Sequence, residues 1–329
     1  MLVGICLTSC RQSAAIENGA SGQALLDAVK LGDNQKVSLL LVEGVYTEVR
    51  DEQGDTPLLY AVKTGNVQVV RMTLTQGVVQ DARSGNGKGV LELALDSGNK
   101  DMVICLLKGG VSPDEVGHDG NPLLLKAVSF REMETIKLLL KRGVTASATG
   151  KDGRTALHIA AEGGLMKWMD VLLAAGTDPD VRDDKGTTPL WTAANVSGPV
   201  ERWRGMTRLL KAGADVNVSG PKKATLLGEM VRRNLRKETV ELINYGAEVN
   251  YAINGNPSPL ELAESGGYID IVAILLSRGA DGSRLLYEAL KRGDIDLIRM
   301  LFEAGVLPEH WEEDELSKDG VIASCVRKG

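Results

Sequence analysis

Glycine recurs every 33 residues through much of this chain, in two independent series. Gly44, Gly77, Gly110, Gly143 and Gly176 each close an apolar run, and Gly54, Gly87, Gly120, Gly153 and Gly186 keep the same step. Two series in one register restrict the fold more than any composition value can. A sustained period of this length marks a chain built from equivalent supersecondary units, none of which buries its apolar face without its neighbours.

The segment Arg154 to Gly186 shows the unit most completely: RTALHIAAEGGLMKWMDVLLAAGTDPDVRDDKG. Related openings are Thr56-Pro57-Leu58, Thr188-Pro189-Leu190 and Ser258-Pro259-Leu260. In each, the hydroxyl residue is placed to cap a first helix, and proline fits its first position, where a missing N–H costs nothing. Leucine and small alanines after it let two helices and the next unit approach closely. Gly65, Gly98 and Gly163 are expected to turn the chain between two antiparallel helices. The pattern Val103-x-x-Leu106-Leu107 puts apolar side chains on one face of the second helix. The terminal glycine then ends that helix in a left-handed cap, and an Asp-x-x-Gly stretch forms a hairpin-like finger.

The opening TALHIAA at 155–161 and the closings LLKAGADVN at 209–217, LINYGAEVN at 242–250 and LLSRGAD at 275–281 resemble the ankyrin repeat. The resemblance covers almost the whole chain after the first 22 residues. It implies an all-α solenoid of stacked helix-turn-helix units with short fingers. It also implies a scaffold or adaptor that binds a protein partner on finger tips and first helices and catalyses nothing. A dedicated inhibitor, chaperone or immunity-type factor that blocks one enzyme is the alternative.

Nine units fit the register: 23–54, 55–87, 88–120, 121–153, 154–186, 187–223, 224–256, 257–282 and 283–320. Residues 1–22 precede them, and 321–329 read as a terminal cap or the opening of a further unit. The sixth unit is four residues too long, and its stretch NVSGPVERWRG is expected to swell the turn between helices. The eighth runs from Gly279 almost directly into the next helix, without a finger.

Composition agrees and excludes alternatives. Hydrophobic content is 43% but aromatic content only 4%, which suits thin layers of medium-sized side chains rather than one broad core. A net charge of −6 disfavours nucleic acid, which demands a basic surface. The four Cys have no metal or disulfide spacing, and the three His stand apart from one another, so no metal or cofactor is expected. His158 occupies the TALH position, where the resemblance implies a structural hydrogen bond. Gly85-Asn86-Gly87-Lys88-Gly89 looks superficially like a phosphate loop, but its glycines are in register with the other fingers.

The N-terminal run Leu7-Thr8-Ser9-Cys10 resembles a bacterial lipobox, followed by a polar tether. That implies acylation at Cys10 and a periplasmic or cell-envelope location, with the membrane reached only through the anchor. The alternative is a short disordered N-terminus on a cytoplasmic protein; a monomer is expected in either case.

Candidate partner-binding residues come from fingers and helix ends: Lys63, Lys151, Arg154, Glu162 and Lys185, with Arg50, Arg83, Arg182, Ser129 and Phe130 at related positions. A second group gathers around the sixth and seventh units, where Arg202, Arg204, Arg232 and Arg233 are expected to form a basic patch beside Trp203, which is expected to be exposed. Trp168 and Trp191 are expected to pack inside.

Overall fold

The structure is a computed structural model, and it describes residues 21–76, 82–114, 116–221, 224–253 and 255–306. Cys10 and the acidic stretch 309–319 lie outside the described residues. The described part is helical throughout, with fingers closed by isolated bridges only.

The chain divides into two compact units, 1–160 with 167–177, and 161–166 with 178–329. In the first, helix pairs are α1 (21–31) with α2 (Asn34–Val42), α3 (Pro57–Thr64) with α4 (Val67–Thr75), α5 (Val90–Asp96) with α6 (Lys100–Lys108), and α7 (Leu123–Ser129) with α8 (Met133–Lys141). Then come α9 (Ala156–Glu162), within which the division falls, and α10 (Met166–Ala174). The second unit continues with α11 (Pro189–Ala194) and α12 (Pro199–Lys211), α13 (Leu226–Arg232) and α14 (Arg236–Asn244), α15 (Pro259–Ser265) and α16 (Ile269–Ser277), and α17 (Ser283–Arg292) and α18 (Ile295–Glu303). Within each unit, first helices pack on first helices (α3 on α5, α5 on α7, α11 on α13, α13 on α15). Second helices pack on second helices (α2 on α4, α4 on α6, α6 on α8, α14 on α16). Leu58, Leu91, Leu124, Leu157 and Leu190, all at the third position of the opening motif, are fully buried.

The capping chemistry follows the motif. Thr56, Thr188 and Thr225 each accept a backbone N–H three residues on, and Ser258 with Glu261 forms a reciprocal capping box. His158 is buried, and its Nδ1 accepts the Thr155 N–H at 3.1 Å.

The turn between helices departs from expectation. Its left-handed residue is Gly32, Gly65, Gly98, Arg131 and Gly164, then Asn234, Gly267 and Gly293. Gly164 therefore replaces the expected Gly163, since it is the residue in register. Two positions, Arg131 and Asn234, hold side chains where glycine would be unstrained.

The four extra residues of the sixth repeat do not swell a loop. Every other second helix has nine residues, and α12 has thirteen. Four residues are close to one helical turn, so an N-terminal extension leaves the downstream apolar face in register. Pro199 at its first turn favours that helical start.

The fingers repeat one hydrogen-bonding scheme. Backbone N–H groups of Asp51, Ser84, Gly117, Gly150 and Asp183 donate to the carbonyl four residues on, and Gly54, Gly87, Gly120, Gly153 and Gly186 donate back.

Candidate functional site

Most of the finger cations are committed to structure. Arg50 donates to its own finger at Gly54 and to the next at Arg83; Arg83 does the same to Gly87 and Val116, and Arg182 to Gly186 and Ser219. These arginines tie consecutive fingers together. Lys63 forms an ion pair with buried Asp55. One step later the same two positions carry the reversed pair, Lys88 and Asp96.

Asp96 extends that pair into a network. Lys126 bridges Asp96 at 2.6 Å and the fully buried Glu92 at 2.9 Å. Burial pushes both carboxyls up, but the bonds they accept outweigh it and hold both below the usual carboxylate range. Lys126 is held above its ordinary value: burial opposes this, and the bonds to Asp96 and Glu92 prevail.

Beyond this network the first-helix face opens. Residues Leu125, Lys126, Ser129 and Phe130 of the α7 segment line a groove of about 400 Å³ whose other wall holds Lys151, Asp152, Arg154 and Ile159, with Asp119 and Asn121 at the finger. The groove lies within the first unit. Phe130 is 49% exposed, and the Lys151 ammonium makes no ion pair among the described residues. Arg131 follows directly, exposed, without an ion pair among the described residues, and held at φ 60°. A left-handed arginine is strained by roughly 1–2 kcal/mol relative to glycine. Strain of this kind concentrates at functional positions. Sequence reasoning named Phe130, Lys151 and Arg154 but missed Arg131, although the series Gly32, Gly65, Gly98 points to it.

In the second unit the expected basic group is split. Arg202 is corrected: it is 5% exposed, with Nε on Glu238 at 2.8 Å and a second donor on the Val196 carbonyl. It closes the α11–α12 turn, which lacks a left-handed residue, and holds α12 against α14. Arg233 is half-buried and donates to the Ala194 carbonyl, so it too is largely structural. Arg232 is exposed and donates from Nε and Nη2 to the two carboxylate oxygens of Glu229. Trp203 and Arg204 lie on α12, a second helix, away from the first-helix positions of Arg232 and Arg233. Trp203, at 42% exposure, lines a groove of about 1020 Å³ with Val200, Arg204, Arg236 and Lys237. Glu162 and Lys185 are exposed and belong to neither groove. Trp191 is 7% exposed and lies against Gly220, whereas Trp168 is half-buried.

Among the described residues no group of His, Cys, Asp or Glu is placed to hold a metal ion, and no helix is long and apolar enough to cross a membrane.

A family model for ankyrin repeats (3 copies) matches residues 25–116, 93–183 and 124–220, more than half of the chain. The chain belongs to the ankyrin-repeat family. Ankyrin repeats are in general modules for protein–protein interaction, without catalytic machinery of their own. Among solved structures, the ankyrin-repeat domain of Bcl-3, a member of the IkappaB protein family, aligns at TM-score 0.54 and 26% identity over 62% of this chain and 92% of that one. An ankyrin-repeat domain from Acinetobacter baumannii AYE aligns at TM-score 0.56 and 26% identity over 58% and 98%. A chain from the structure of a predatory endopeptidase of Bdellovibrio bacteriovorus in complex with an immunity protein reaches 0.48 at 27% identity over 57% and 97%, too low to bear on the fold. No curated protein sequence matches the chain.

Proposed function

We propose that this protein is a non-catalytic adaptor whose partner protein docks on the first-helix face of repeats four and five. The observation that carries the reading is the Phe130–Arg131 pair, an exposed ring and an exposed cation, without an ion pair among the described residues, kept at a strained turn beside the groove. Aromatic and arginine side chains together are the composition of interaction anchors. Preformed helix pairs also lose little conformational freedom when a partner docks. The test replaces Lys151 with a photo-crosslinking residue in native cells. A partner crosslinked there, and lost when Phe130→Ala is added, supports the site; undiminished crosslinking in the double variant removes it.

The lipobox-like run ending in Cys10 supports a tethered form in the cell envelope. Metabolic labelling with a clickable fatty acid decides this: label lost on Cys10→Ala supports the anchor, and absence of label refutes it.

A further inference from the structure

We propose that the groove between α12 and α14 docks an acidic segment of a partner protein, one that carries a large apolar side chain. The groove exists because α12 is longer by four residues than any other described second helix. The added turn supplies Val200, which with Trp203 just after it forms an exposed apolar wall. The same turn carries Arg202, whose buried pair with Glu238 fixes it against α14. The wall is therefore held by the fold, and the turn that builds it is absent from the other described repeats.

Around the wall the surface is positive. Arg204 stands beside Trp203, and Arg236 and Lys237 open α14 on the facing side. Arg204 and Lys237 form no ion pair among the described residues, and Arg236 reaches only Asp270 at 3.8 Å, both side chains exposed, a pairing of little energetic value. The first turn of a helix favours anions over cations. Asp101, Glu134, Asp270 and Asp296 follow that preference at the second position of their second helices, and Lys237 reverses it. Of the carboxylates close by, Glu238 is spent on Arg202, and Glu201 lies beside Gly164 and Gly198, outside the lining. That leaves Glu241, half-buried, against three exposed cations. Such a surface complements a segment whose carboxylates flank an apolar side chain. A phosphate ion would use the cations and leave the wall bare. A flat anionic bilayer would also have to cover exposed Asp270, which a chain lying in the groove avoids. The groove lies within the second unit and shares no residue with the Phe130 groove, so a variant of one leaves the other's residues intact.

A random-peptide library displayed on phage tests this, panned in parallel against the intact chain and its Arg204→Glu, Lys237→Glu variant. Peptides enriched by the native chain and not by the variant are expected to combine Asp and Glu with Leu, Ile, Phe or Trp. The most enriched of them, made synthetically with a fluorescein label, should bind the native chain in anisotropy titrations and weaken as salt is raised. Trp203→Ala and Arg204→Glu should each weaken it by roughly tenfold or more. Lys211→Glu makes the same charge change outside the lining, roughly 10 Å further along α12, and should leave the affinity within about twofold. Thermal melting confirms that each variant is folded. Peptides enriched equally by the variant, or without an acidic bias, overturn the proposal. An equal loss with Lys211→Glu also overturns it, because attraction would then follow net charge and not the groove. So does the enrichment of no peptide at all; anionic phospholipid vesicles that then bind in an Arg204-dependent way would give the groove to a membrane surface.

Discussion

His118 donates both its backbone N–H and its ring Nδ1 to the carboxylate of Glu92, at 2.8 and 2.7 Å. Glu92 occupies the position that His158 holds two repeats later, at the fourth residue of the opening motif. Where His158 turns to its own helix cap, Glu92 reaches into the finger before the next repeat and, through Lys126, onto the next first helix. One substitution thus turns a local cap into a contact between repeats.

That contact predicts acid sensitivity. Burial pushes the Glu92 carboxyl up, and the bonds from the His118 ring, Lys126 and the His118 N–H more than reverse it. Because the folded value is depressed, the stabilisation is complete above the ordinary glutamate value and is lost as pH falls through the lower folded one. Glu92→Gln keeps an acceptor for the His118 N–H but loses the charge. It should lower stability at pH 7 by about 1–2 kcal/mol. It should also flatten the decline in melting temperature between about pH 5 and about pH 3. Parallel declines in the variant and the native chain would refute the assignment.

A second expectation concerns Arg202 and Glu238, whose side chains are both nearly buried. Removing one partner leaves a buried charge uncompensated, so Glu238→Ala should cost about 3–5 kcal/mol. Replacing both with Leu should cost far less, because neither charge is then stranded. Urea titrations of the two single variants and the double variant measure the coupling; additive losses would mean that the pair is not a unit.

How much of this was legible in the sequence depends on what kind of interaction was involved. The repeat register, the Thr56, Thr188 and Ser258 caps and the buried motif leucines depend on local chemistry repeated at a fixed step, and a glycine series reports that directly. The fate of Arg202 was not legible, because burial there depends on Glu238, 36 residues away, and on how four inserted residues are absorbed. A loop and an extra helical turn look alike in composition; only the nine-residue length of the other second helices tells them apart. Arg50, Arg83 and Arg182 looked like free finger cations for the same reason, since the carbonyls they bond belong partly to the next finger. Arg131 was legible, because it stands at the position that Gly32, Gly65 and Gly98 hold in earlier repeats.

The closing motif offers a stabilising change. Asn217 and Asn250 accept the backbone N–H of Glu248 and Asp281, and Asp180 does the same for Asp215 with a carboxylate. Burial pushes the Asp180 carboxyl up; the Asp215 N–H lowers it, and the negative charges of Asp215 and Asp178 raise it again, for a net upward shift. A raised carboxylate value means the folded state binds the proton more tightly, so this site subtracts stability as pH rises through the two values. Asp180→Asn keeps the acceptor and removes the charge. It should stabilise the chain at pH 7 by roughly 0.5–1 kcal/mol. The gain should vanish near about pH 3, where Asp180 is protonated in both states. A gain of equal size at both pH values would point to a cause other than charge.

Arg131 separates a functional role from a structural one. If the residue served the fold, its replacement would destabilise; the left-handed backbone at φ 60° predicts the reverse, because glycine adopts that conformation freely. Arg131→Gly should therefore raise stability by about 1 kcal/mol, less the entropy glycine adds to the unfolded chain. At the same time it removes the cation beside Phe130, and partner crosslinking through position 151 should fall. Both quantities can be read from one preparation, by thermal melting and by crosslink yield. A more stable chain that binds less well shows that strain is kept at this turn for recognition. A more stable chain that binds equally well leaves Phe130 and Lys151 as the candidates and removes Arg131 from the site. A less stable chain would mean that the arginine side chain supports the α7–α8 turn by contacts other than hydrogen bonds and ion pairs.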